Sequence, residues 1–257
     1  MPTSESDRNG VQVIRRAVEI LKALKDEPEG ASLSQIAGRT ELARSTVHRL
    51  VTALEDEGFV VSASRNGRFR LGPAFASFAE AAELNFALDF HPLMAKMSRA
   101  LNETVDLAVL EHDHARIVHQ IAATRRLYAV SLVGAVFPTY CTACGKALLA
   151  EMSDEQVERL LTGHMEQFTP HTITGVDALL EELAEVRKTG IAYDREEHTI
   201  GICAVGTALA DAAGRVVAVS VPIPAQRFDD GEAQAVKALR ATRRDFSRRA
   251  KRPATAR

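Results

Sequence analysis

The chain has 257 residues, 46% of them apolar and 26% charged, with a formal net charge of −2. That length provides for one small and one medium domain, each with its own core. Near-neutral charge excludes a protein that coats nucleic acid through bulk positive charge, so any DNA affinity has to come from local basic clusters. Residues 1–10 are polar and are expected to be disordered. They carry no signal-peptide pattern, and no apolar run anywhere reaches membrane length, which points to a cytoplasmic protein.

Ile14, Ala17, Val18, Leu21 and Leu24 recur at helical spacing and predict an amphipathic helix that ends at Pro28 and Gly30. Ser32 is the expected N-cap of a short helix with Leu33, Ile36 and Ala37 facing inward and its end near Gly38. A turn through Thr40 and Leu42 leads into a second short helix, whose buried face is Val47, Leu50, Val51 and Leu54. Rotation sends Ser45, His48, Arg49 and Thr52 outward together, and Thr46 joins them. Short hydroxylated and cationic side chains of this kind reach base edges and phosphates in a major groove. A polar face on an isolated helix is ordinarily just a solvated face; the preceding helix and tight turn make it a helix-turn-helix. Phe59-Val60-Val61 and Arg68-Phe69-Arg70-Leu71 then bracket Arg65-Asn66-Gly67, a strong hairpin signal. Arg65, Arg68 and Arg70 therefore fall on a wing, and residues 11–72 read as a winged helix-turn-helix.

Residues 73–90 are alanine-rich, with Phe75, Phe78, Ala79 and Ala82 at helical spacing, and read as a linker helix able to transmit motion, unlike a Gly/Ser tether. After Pro92 a further helix carries Leu93, Met94, Met97 and Leu101. Residues 91–249 alternate strand and helix signals. Val105 to Leu110 and Arg116 to Ile121 flank His112-Asp113-His114 as one hairpin, and Ala204 to Leu209 and Arg215 to Val221 form another, turning at Asp211 to Gly214. Helices are marked by Val157, Leu160 and Leu161, and by Leu179, Leu180, Leu183 and Val186, so the class is α+β. Arg240, Arg243, Arg244, Arg248 and Arg249 lead into a basic tail at 250–257, which reads as a solvated helix end with a frayed terminus.

The run Ala43 to Leu50, followed by Leu54 to Phe59 and Gly67 to Gly72, closely resembles the DNA-binding half of IclR-type transcriptional regulators. Gly134, Pro138, Thr142 and Gly145 to Ala150 resemble the stretch that opens the family's effector pocket; Gly190 to His198 with Gly201, and Asp211 with Gly214 and Val217 to Val221, match further along. The resemblance implies a GAF-like effector-binding fold, a homodimer or dimer of dimers, and a pseudo-palindromic double-stranded DNA operator. It also implies regulation by a small carboxylate effector, with repression of catabolic genes as the family habit and activation as the alternative. Arg125 to Tyr128 and Pro138 to Thr142 are similar to the branch that senses aromatic acids.

Ala143, Cys144 and Gly145 fall at the N-terminus of the helix ending near Met152, where backbone N–H groups lack intrahelical acceptors and suit an anion. The resemblance assigns effector contacts to the backbone of Ala143 and Cys144 and to the side chains of Asp194 and Ser220. A family cysteine contact corresponds to Ala204, with Cys203 beside it as a candidate, and a family serine corresponds to Pro222. These departures favour a larger, partly apolar ligand. An odd number of cysteines favours free thiols. Cys141-x-x-Cys144 with His112, His114, His119 or Cys203 is the competing metal or redox reading, though a lone C-x-x-C is a poor metal signal. Asp194, Glu196, Glu197 and His198 could serve as acid/base machinery, but no nucleophile motif accompanies them. Neither a cofactor nor an enzymatic activity is expected.

Overall fold

The computed structural model describes residues 5–63, 67–129, 131–163, 165–210 and 215–250. Its contacts form two compact units that divide between Glu83 and Leu84. The first begins with α1 (Glu5–Lys25), β1 (Ala31–Ser32), α2 (Leu33–Thr40) and α3 (Arg44–Asp56), and continues with β2 (Val60–Ala63) and β3 (Arg68–Leu71). Its strands pair antiparallel in the order β1-β3-β2.

Helix α1 starts at Glu5, so residues 5–10 are helical where a disordered segment is expected. Its buried face also differs from the expected stripe. Ile20 and Leu24 are buried, whereas Ile14 is 67% and Val18 42% exposed. Apolar residues occupy two faces of this helix, and only one of them meets the core. Ser32 caps α2 as expected, through a reciprocal pair: its Oγ accepts from the Gln35 N–H at 3.3 Å and its own N–H donates to Gln35 Oε1 at 2.9 Å. The helix runs through Gly38 to Thr40, and Glu41 takes the left-handed exit at φ 54° instead of a glycine. Val47, Leu50 and Val51 close a small core with Ile20, Leu24, Ile36 and Val60. The tip of the β2–β3 hairpin, with Arg65 and Asn66, lies outside the described residues.

Helix α4 (Ala74–Leu101) is continuous where two helices separated at Pro92 are expected. Pro92 removes one backbone donor without ending the helix. Phe75 and Phe78 pack within the chain on Phe59, with ring centroids 5.2 and 5.3 Å apart.

The second unit is built on six antiparallel strands: β4 (Val105–Glu111), β5 (His114–Ile121), β6 (Val136–Pro138), β7 (Ala192–Arg195), β8 (Ile202–Ala210) and β9 (Val216–Pro224). Their order is β6-β5-β4-β9-β8-β7. Helices α5 (Ala143–Leu149), α6 (Asp154–Leu160) and α7 (Val176–Thr189) pack on one face through Leu149, Val157, Leu179 and Leu183. On the other face Phe90, Met94 and Met97 of α4 meet Ala235 and Leu239 of α8 (Phe228–Ala250) over Val205, Val219 and Val221. Strands covered on both sides read as near-continuous apolar runs, which is why β8 and β9 carry so little alternation. The α+β class expected from the sequence is the one observed. The expected turn at Asp211 to Gly214 and the tail after Ala250 fall outside the described residues.

Candidate functional site

On α3, Ser45, His48, Arg49 and Thr52 are exposed opposite the buried Val47, Leu50 and Val51, with Thr46 half-buried at the edge. Glu55 Oε1 accepts from the Ser62 N–H at 3.1 Å, which fastens this helix to the wing. Thr52 Oγ1 donates back to the His48 carbonyl at 3.0 Å, leaving its lone pairs as the outward polar function. Arg70 is exposed on β3. Arg68 is half-buried, and its Nη1–H donates to the Gly30 carbonyl at 3.2 Å, so it braces the wing against the turn after α1 as well as adding charge to it.

The second unit contains a cavity of about 290 Å³ between the sheet and the start of α5. Strand register explains its floor. Asp106 of β4 is paired with Ser220 of β9, and Ser220 with Gly206 of β8; one step along, Pro222 pairs with Ala204, and Ala204 with Asp194 of β7. Side chains two residues apart share a face, so Asp106, Ser220, Pro222, Ala204 and Asp194 all look toward α5. Gly206 leaves room for that helix: a Cβ there would lie 2.9 Å from the Ala143 carbonyl oxygen. Gly145 does the same on the other side, where a Cβ would lie 2.4 Å from the Thr139 backbone. Thr142 caps α5, its Oγ1 accepting from the Gly145 N–H at 3.3 Å. Ala143 and Cys144 thereby line the cavity at the first turn of α5.

Cys203 does not join them. It lies on the opposite face of β8, in the core against α4 and α8, because a one-residue step along a strand reverses the side chain. Its neighbour Ala204 takes the cavity position.

Both acidic lining residues are held away from solvent. Burial pushes the Asp106 carboxyl up to about 6, against the lowering effect of the Gln120 and Ser131 hydrogen bonds; Gln120 Nε2 donates to Asp106 Oδ1 at 2.8 Å. Burial likewise pushes Asp194 up to about 7, although its Oδ1 accepts from the Glu197 N–H at 2.8 Å. Sequence reasoning missed Asp106. Its signal was a lone acid inside the apolar run Val105 to Leu110. Tyr128, Phe137 and His198 also line the cavity. His198 packs between Phe137 and Phe168, with centroids 5.2 and 5.0 Å away, and burial lowers its pKa.

The cluster after Asp194 is structural. Glu197 accepts from the fully buried Lys146 at 2.7 and 2.8 Å, and Glu182 adds a third contact at 3.0 Å. Burial pushes the Cys141 thiol up to about 12 and Cys144 up to about 11, so neither is a thiolate at neutral pH. His112 and His114 sit at the β4–β5 turn, and His119 pairs with His91 at 3.0 Å. Among the described residues no three His, Cys, Asp or Glu side chains come together as a metal site. No described helix is long and apolar enough to cross a membrane.

Comparison with known proteins agrees with both units. The family model for the IclR helix-turn-helix domain matches residues 13–64, and the one for the bacterial transcriptional regulator IclR C-terminal region matches residues 79–248. The HTH-type transcriptional regulator Rv1719 of Mycobacterium tuberculosis is 47% identical over 241 residues, 93% of each chain. The transcriptional repressor IclR of Escherichia coli is 31% identical over 228 residues, covering 86% of this chain and 82% of that one. The crystal structure of Thermotoga maritima IclR superposes with a TM-score of 0.62 at 26% identity, covering 94% of this chain and all of that one.

Proposed function

The chain belongs to the IclR family of transcriptional regulators, and from that premise we propose that it is a ligand-controlled repressor. The observation that carries this reading is the pairing, in one chain, of an exposed basic and hydroxylated helix face with a cavity in a separate unit. Ser45, Thr46, His48, Arg49 and Thr52 contact the major groove, and Arg68 and Arg70 follow the wing to the phosphates. Two copies present two such helices to a pseudo-palindrome. The exposed stripe of Val11, Ile14 and Val18 on α1 supplies an apolar surface that a second copy would cover. Repression is supported by the repressor name of the Escherichia coli relative.

The effector occupies the cavity lined by Ala143, Cys144, Asp194 and Ser220. The family resemblance implies a small-molecule effector, enclosed here between the sheet and the start of α5. Ligand changes DNA affinity only as far as it binds the two states of the protein differently. Fluorescence anisotropy on DNA from the gene's own upstream region, against scrambled DNA and with a panel of small acids, phenols and alcohols, tests the reading. Specific binding that one compound changes supports it. Equal binding to both DNAs refutes specific regulation at that site. Arg49→Ala should weaken specific binding at least tenfold without altering the melting temperature, and unchanged affinity and sequence preference would remove Arg49 from the interface.

A further inference from the structure

The cavity has a charge character of its own. Its lining includes two carboxylates, and among the described lining residues there is no lysine or arginine. His198 is the one basic side chain there, and burial keeps it neutral near neutral pH. The buried Lys146 is already spent on Glu197 and Glu182 and is not among the lining residues. Most of the remaining lining is apolar, including Ile117, Phe137, Ile202, Ala204 and Pro222.

Asp106 and Asp194 stand on the same sheet face with β9 and β8 between their strands. At about 4.8 Å per strand, three steps span roughly 14 Å of flat sheet, so the two carboxylates mark opposite ends of the floor and not a single acidic cluster. Gln120 and Ser131 donate to Asp106, and the backbone N–H groups of Glu197 and His198 donate to Asp194. A carboxylate has about four acceptor sites, which leaves capacity at each end for a donor from a ligand.

We propose that this cavity selects an apolar, ring-bearing ligand that donates a hydrogen bond through a hydroxyl or amino group to Asp106 or Asp194, at one end of the floor or the other, and disfavours carboxylates. The inference rests on the cavity being the effector site and names the class of effector. A carboxylate would bring a third negative charge into a site without a cation, where low local polarity magnifies repulsion. The start of α5 offers partial compensation through two N–H groups, but Asp106 and Asp194 face the same space. Burial has already moved both carboxyls toward neutrality. An added anion would raise them further, so its binding requires proton uptake; a hydroxyl or ammonium donor requires none. Asp106 is thus a specificity-determining residue, one that the match to Asp194 and Ser220 leaves unassigned.

The test uses the full-length protein and three probes with one common body: 4-propylphenol, 4-propylanisole and 4-propylbenzoate, titrated by calorimetry at pH 7.5. The phenol should bind at least tenfold more tightly than the ether, which lacks the donor, and than the benzoate, which carries the charge. In Asp106→Asn and Asp194→Asn the benzoate should gain at least threefold, and in one of the two the phenol's advantage should shrink. Tighter binding of the benzoate to the unaltered protein, equal binding of all three, or no binding of the phenol at 1 mM overturns the proposal. Anisotropy on operator DNA with the same probes separates the two readings. A benzoate that binds best and shifts DNA affinity overturns the donor class and keeps the regulator. A phenol that binds best without shifting DNA affinity supports the selectivity and overturns ligand control.

Discussion

Replacing Asp194 by asparagine should stabilise the protein, and by an amount that grows with pH. Below about pH 4 the carboxyl is protonated in both folded and unfolded chains and contributes nothing. Between about pH 4 and 7 the unfolded chain ionises first while the folded one keeps its proton, so wild-type stability falls as pH rises; above about 7 both are ionised and the full cost remains. The shift from 3.8 to about 7, at about 1.4 kcal/mol per unit, withholds roughly 4 kcal/mol from the wild type at pH 8 and roughly 2 at pH 5. The substituted amide cannot titrate. Its oxygen still accepts the Glu197 N–H, and any weakening of that bond, about 1 kcal/mol, is the same at both pH values. The advantage of Asp194→Asn should therefore increase by roughly 2 kcal/mol from pH 5 to pH 8. Lys146, Glu197, His198 and Cys141 also face this site and are present in both proteins. Urea denaturation followed by circular dichroism across that range measures the difference. Parallel stability curves for the two proteins, or a variant that loses ground as pH rises, would refute the argument that burial governs this carboxyl.

Lys146→Ala should cost about 3–5 kcal/mol in the same assay, because it leaves Glu197 buried without its cation; a loss under about 1 kcal/mol would mean that Glu197 simply protonates. Gly145→Ala brings a Cβ to 2.4 Å from the Thr139 backbone and should lower stability by more than about 2 kcal/mol, with α5 displaced as seen by hydrogen exchange. Arg68→Ala should lower the melting temperature as well as DNA affinity, by about 1 kcal/mol for the lost bond to the Gly30 carbonyl. Arg70→Ala should leave melting unchanged while reducing the salt dependence of DNA binding by about one counterion.

Local features were legible in the sequence. The outward set on α3 followed from a helical wheel, the Ser32 cap from its residue type and position, and the β2–β3 hairpin from Asn66-Gly67 between Phe59-Val60-Val61 and the alternating Arg68-Phe69-Arg70-Leu71. Features set by tertiary neighbours were not. In α1 two apolar stripes compete, and only packing shows that Ile20 and Leu24 enter the core while Ile14 and Val18 do not. Pro92 reads as a boundary because a proline disfavours the helix before it, yet the helix continues through it. A two-residue strand such as β1 and a three-residue one such as β6 have no periodicity to detect. Cys203 failed as a candidate by a single residue of strand parity. Asp106 was missed for a different reason: what makes it a floor residue is the placement of β4 beside β9, and sheet order is invisible in a linear chain.

The sheet's two faces divide the labour of change between them. Along β8 and β9, positions 204, 206, 218, 220 and 222 face the cavity or its supporting helix, whereas 203, 205, 219, 221 and 223 fill the core under α4 and α8. A mutation at one parity can therefore enlarge, shrink or repolarise the cavity while the hydrophobic layer opposite stays intact. A chain 47% identical to a relative can thus differ from it in cavity lining through a few alternate residues, and keep the same scaffold beneath.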